Sequence, residues 1–179
     1  FPLLSQALDM EKVMHMNKPK KEFIYQELEG GDQIGKVWAG EVVFIDYFHP
    51  NSTTYWIQML QKLYDKIKFS GVWLDMNKYR TYATDPAHSN PTKKTIDYTN
   101  DIPYHPGNDT IETQAIPLNA THYGGLLEAN VHTYFGLMET YATYFFLYDK
   151  RIPFIITRSN TLGTNKYGFH WTGDNYANY

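Results

Sequence analysis

The run Gly71-Val72-Trp73-Leu74-Asp75-Met76-Asn77 constrains the fold more than any other stretch of this chain. A continuous apolar segment ends abruptly in a carboxylate. A strand buried on both faces of a parallel sheet reads this way when its last residue carries chemistry. Parallel strands need a crossover connection, and one is offered just upstream. Val42-Val43-Phe44-Ile45 reads as a strand, and Pro50-Asn51-Ser52 as a helix start with Asn51 as polar cap. Trp56, Met59, Leu60, Leu63 and Ile67 then recur at helical spacing. Strand, helix and buried strand make a βαβ unit.

Residues 76–119 are rich in Asn, Asp, Thr, Pro and Gly and hold no sustained period. That length is permissible as an active-site loop at the C-terminal face of a barrel strand. A second helix is expected with Val131, Phe135, Met138, Ala142 and Phe145 on one face. Pro153-Phe154-Ile155-Ile156-Thr157-Arg158 reads as another buried strand ending in a charge, and Phe169-His170-Trp171 leads to Asp174 as the next strand end. In a closed parallel barrel Asp75, Arg158 and Asp174 would point to one mouth. Residues 1–33 read as a loop or small excursion preceding the barrel.

A net charge of −3 argues against nucleic acid as the main partner. The cluster Lys18-Pro19-Lys20-Lys21 reads as a solvated loop. No apolar run reaches the roughly 18 residues of a membrane span. With no cysteine, a disulfide framework within this stretch is excluded. His122, His132 and His170 fit no common zinc signature and read as hydrogen-bonded structural histidines, so no metal is expected. Three sequons, at Asn51, Asn108 and Asn119, point toward glycosylation and a secreted or lysosomal location.

Taken together, Trp73-Leu74-Asp75-Met76-Asn77, Thr157-Arg158-Ser159 and His170-Trp171-Thr172-Gly173-Asp174-Asn175 resemble the motifs of glycoside hydrolase family 31, in that family's order. This is the family of maltase, sucrase-isomaltase and lysosomal α-glucosidase. Val37-Trp38-Ala39-Gly40, His122-Tyr123-Gly124 and His132-Thr133-Tyr134-Phe135-Gly136 also look familial. The resemblance runs from about Ile34 to the end. It implies that residues 34–179 are the central part of a (β/α)8 TIM barrel, truncated before the last strands. Such a segment is expected to be stable only beside the remaining parts of the same polypeptide.

The resemblance further implies a retaining α-glycosidase acting on an oligosaccharide, with no organic cofactor. It assigns Asp75 as nucleophile, Asp174 as acid/base, Arg158 as a substrate-binding residue, and Trp38, Trp73, Met76 and Trp171 to the sugar pocket. Asp75 then needs a nearby donor or cation, and Asp174 needs apolar surroundings such as Trp171. The bland alternatives are a strand-end Asp capping a turn, a structural ion pair at Arg158, and tryptophans that belong to the core. One departure is evident: Lys78 stands where the family's motif has Glu. Three readings remain open: an α-glucosidase for maltose-like substrates, an α-xylosidase or glycoprotein-processing glucosidase, or a non-catalytic homologue.

Overall fold

Three strands pair in parallel in the order β3-β4-β5: β3 (Val72–Leu74), β4 (Ile155–Thr157) and β5 (Phe169–His170). The computed structural model describes residues 34–37, 40–79, 115–116, 118–174 and 176. Trp38, Asn108, Lys18 to Lys21, segment 1–33 and most of the long loop lie outside the described residues. The chain packs as two compact units, one holding 50–78 with 133–176, the other 34–49 with 79–132.

In the first unit, α1 (Ser52–Lys66) precedes β3, and α3 (Tyr134–Tyr148) connects β3 to β4. The crossover that parallel pairing requires is thus β3-α3-β4. Val72 pairs with Ile155 and Leu74 with Thr157; Ile156 pairs with Phe169. Paired residues share a sheet face, and faces alternate along each strand. Val72, Leu74, Ile155 and Thr157 are buried, while Trp73 and Phe169 are 41% and 63% exposed. One face therefore packs against helices and the other is open. The core beneath the packed face is Trp56, Leu60, Phe69, Phe146 and Leu147, and the Trp56 indole N–H donates to Thr143 Oγ1 at 2.9 Å.

Two expectations about the helices change. Asn51 makes no side-chain cap bond; its carbonyl accepts the Tyr55 N–H at 3.0 Å. The second helix is split: α2 (Glu128–Val131) ends before α3 begins. In α3, Phe135, Glu139, Ala142, Thr143 and Phe146 are buried, while Met138 is half-buried and Phe145 is exposed, so the buried face is turned by about one residue from the expected one. The buried Thr140 and Thr143 hydroxyls donate to carbonyls one turn back, at Gly136 and Glu139.

In the second unit, β1 (Ile34–Val37) and β2 (Gly40–Val43) form an antiparallel pair, Ile34 opposite Val43. The strand expected at 42–45 thus starts at Gly40 and takes its neighbour in sequence as partner. The expected βαβ unit around α1 is not among the described pairings. Antiparallel neighbours need only a short connection, which favours the local partner. Phe44, Ile45, Tyr47, Tyr79, Ile116 and Leu118 are buried here, and the Tyr79 hydroxyl donates to the Ile45 carbonyl. Among the described residues no helix is long and apolar enough to cross a membrane.

Candidate active site

Because β3, β4 and β5 are parallel, their C-terminal ends leave the sheet along one edge. Asp75 follows β3 directly and Arg158 follows β4. The Arg158 N–H bonds to the Leu74 carbonyl at 2.9 Å, extending the ladder by one step and aligning the two side chains. Arg158 Nη1 then donates to Asp75 Oδ1 at 3.1 Å and lies 2.9 Å from Met76 Sδ. This is the cation that a nucleophilic Asp75 requires. The pair is about one-third exposed, so it contributes little to stability and much to orientation. Asp75 Oδ1 also accepts the Met76 N–H at 2.7 Å. Met76 has a φ of 56°, in the left-handed region that a non-glycine residue occupies only under constraint.

Trp171 lies on the Trp73 face by the β5 register. Its ring centroid is 4.9 Å from that of Trp73, edge to face, and 5.9 Å from the Arg158 guanidinium carbon. Both tryptophans thus adjoin the pair instead of filling the core. His170 Nδ1 faces the Thr157 carbonyl at 3.3 Å. Asp174 lies four residues past β5, beyond Gly173 at φ 97°, and is exposed. It is not the strand end, and Trp171 does not bury it. Among the described residues it makes no hydrogen bond or ion pair with Asp75 or Arg158. Asn51 is exposed and Asn119 half-buried.

Sequence reasoning missed the residues behind this edge. Asn77 Nδ2 donates to Thr157 Oγ1 at 2.7 Å, and Asn77 Oδ1 accepts the Ser159 N–H at 2.9 Å. The Asn77 amide also acts on the buried Glu139, favouring its charged form, and among the described residues Glu139 Oε2 has no hydrogen-bond partner. Burial pushes the Glu139 carboxyl up to about 8, against the smaller downward pull of Asn77. The available signal was a lone charge in an otherwise uncharged helix, Tyr134–Tyr148. Gly136 is needed for close approach: a Cβ there would meet Ser159 Cβ at 2.5 Å and Asn77 Nδ2 at 3.2 Å.

The second unit holds its own buried charges. His122 Nδ1 bonds Asp46 Oδ1 at 2.9 Å, and Nε2 bonds Glu128 Oε2 at 2.8 Å. Glu128 Oε1 bonds His132 Nδ1. Asp46 also accepts backbone N–H groups from Phe48 and Tyr123. Burial disfavours charge on both His122 and Asp46, but their mutual bond and the remaining partners outweigh it. His122 is therefore raised and Asp46 lowered from their ordinary values. His122 and His132 are hydrogen-bonded structural histidines, as expected.

A parallel sheet with a crossover helix, gathering a carboxylate, a guanidinium and two tryptophans at its C-terminal edge, matches part of a (β/α)8 barrel. The chain matches the TIM-barrel domain of glycosyl hydrolases family 31 over residues 4–179, and it belongs to that family. It is 34% identical over 163 residues to a probable alpha-glucosidase of Oryza sativa subsp. japonica, covering 88% of this chain and 18% of that protein. It is 30% identical over 177 residues to alpha-xylosidase 1 of Arabidopsis thaliana, covering 85% and 19%. The chain thus spans about a fifth of these relatives' length. Its fold is similar to that of the glucosidase II alpha subunit, with a TM-score of 0.65 at 22% identity over 97% of this chain and 16% of the other.

Proposed function

We propose that the full-length protein is a retaining α-glucosidase that removes terminal α-1,4-linked glucose from maltose-like oligosaccharides. The observation that carries this reading is the Arg158–Asp75 hydrogen bond beside the Trp73–Trp171 wall. An Asp75 oxygen attacks the anomeric carbon as the bond to the leaving oxygen breaks. That oxygen takes the proton of Asp174. Water then attacks the same carbon, Asp174 takes its proton, and the electrons of the departing bond return to the Asp75 carboxylate. Retention requires the two carboxyl groups to lie about 5–5.5 Å apart when substrate is bound. Trp38, Trp73, Met76 and Trp171 would line the sugar pocket, and Arg158 would bond sugar hydroxyls.

The exposed Trp73 and Phe169 support the view that residues 34–179 are the centre of a barrel completed by the rest of the polypeptide. The three sequons support a secretory route, secreted or lysosomal, with glycan on Asn51, Asn108 or Asn119. A second reading keeps the reaction and changes the sugar, to an α-xylosidase or a glycoprotein-processing glucosidase; the Arabidopsis relative supports it. A non-catalytic homologue is the third, motivated by Lys78 beside the nucleophile motif. Turnover of chromogenic α-glucoside and α-xyloside by the full-length protein separates a glucosidase from a xylosidase, and either from a non-catalytic homologue; cleavage of maltose against a glucosylated glycan separates the two glucosidase readings. Asp75→Asn is expected to lower turnover by at least about a thousandfold. Unchanged turnover removes Asp75 from the mechanism.

A further inference from the structure

Immediately behind the Asp75–Arg158 pair, Asn77, Thr157 and Glu139 are buried. Asn77 stands two residues after Asp75; Thr157 and Ser159 flank Arg158. The Asn77 amide therefore holds the residues on either side of Arg158, through the Thr157 hydroxyl and the Ser159 N–H. Thr157 Oγ1 in turn donates to the Ser159 carbonyl at 3.1 Å, closing the ring. One Asn77 N–H is engaged by Thr157, and the amide also acts on the buried Glu139 carboxyl, favouring its charged form. Glu139 is held on α3, which Gly136 lets approach the ring closely.

We propose that Glu139 is a positioning residue: its carboxyl fixes the Asn77 amide, and Asn77 fixes the spacing of the two strand ends that carry Asp75 and Arg158. This rests on the reading of Asp75 as nucleophile. A nucleophile displaced by about 1 Å loses on the order of a hundredfold in rate.

The carboxyl does this work in its neutral form. Among the described residues Oε2 has no partner, and the Asn77 amide is the group that favours charge on the carboxyl. Among the described residues no charged group of α1, β3 or β4 offsets a charge there. Ionisation would leave a bare buried anion, relieved only by movement of Asn77 or entry of water. Either one loosens the strand ends.

The test uses full-length protein and an α-glucosyl fluoride carrying a second ring fluorine, which traps the covalent adduct. Fluoride leaves without a protonated acid, so the labelling rate reports Asp75 and not Asp174. Mass spectrometry of the Asp75 peptide gives the rate, and thermal melts show that each variant is folded. E139Q keeps the acceptor and is expected to label within about threefold of wild type. E139M keeps the volume without the acceptor and is expected to label at least about tenfold more slowly. Wild-type labelling slows as pH rises through about 8, and E139Q lacks that limb. An E139M rate equal to wild type, or the same basic limb in E139Q, overturns the proposal. Should E139M not fold, the limb decides alone. An unlabelled Asp75 in the wild-type protein brings down the nucleophile reading itself, and this inference with it.

Discussion

Replacing Glu139 by Gln stabilises the protein at neutral pH, by an amount that grows with pH. Burial lifts the carboxyl from its ordinary 4.5 to about 8. Between those values the unfolded chain has released the proton and the folded chain has kept it. Folding then costs about 1.4 kcal/mol for each pH unit above 4.5. At pH 7, two and a half units above, the cost is about 3 kcal/mol. Because the folded value is raised for an acid, stability falls as pH rises across this window and levels off above about 8. Gln carries no such cost. Its amide oxygen can accept the Asn77 N–H, and its NH2 takes the place of Oε2, where neither acid nor amide has a partner. The two proteins should therefore match near pH 4.5 and diverge above it. Thermal unfolding of the full-length pair at several pH values between 5 and 8 measures the gap. A gap that is constant across that range refutes the neutral, buried carboxyl.

His122→Asn leaves Asp46 and Glu128 buried without their cation and should cost about 3–5 kcal/mol in unfolding measurements. With His122 raised and Asp46 lowered, their contribution is complete between pH 3.8 and 6.5. It is lost as pH falls through the folded value of Asp46, or rises through that of His122. The variant's stability profile should lack both limbs. Gly136→Ala drives a methyl into Ser159 and Asn77 and should cost about 1–3 kcal/mol by thermal melting, with slower Asp75 labelling; an unaffected labelling rate would separate helix packing from the strand ends.

An apolar run broken by a charge located Asp75 and Arg158 at strand ends correctly, because such a run is a local property of the sequence; the parallel register that brings the two ends together is not, since it pairs Val72 with the distant Ile155. The same pattern occurs at Val42-Val43-Phe44-Ile45-Asp46, and there the carboxylate is taken up by His122 and backbone N–H groups. Pattern alone does not separate a reactive carboxylate from an anchoring one; the partner does, and it lies 76 residues away. The second helix was legible as a helix, but not its division into α2 and α3 and not its buried face. Glu139 and Phe146 are buried where Met138 and Phe145 were expected, a turn of one residue that a face rich in aromatics all round does not encode. Asp174 matched the family motif, yet its position past a left-handed Gly173 depends on loop conformation that periodicity does not encode. Asn77 and Glu139 lie 62 residues apart by number, and nothing in either segment announces the other.

The left-handed turn at Met76 lets one tripeptide serve both sides of the sheet. In a regular strand, Asp75 and Asn77 would look the same way. Reversing the chain between them sends the carboxylate toward the open side and the amide into the interior, so the reactive group and its brace, on opposite faces, are two residues of one short segment instead of being recruited from separate segments. A β-branched residue at position 76, unable to sustain that reversal, would swing the brace outward and unmoor the very group it supports.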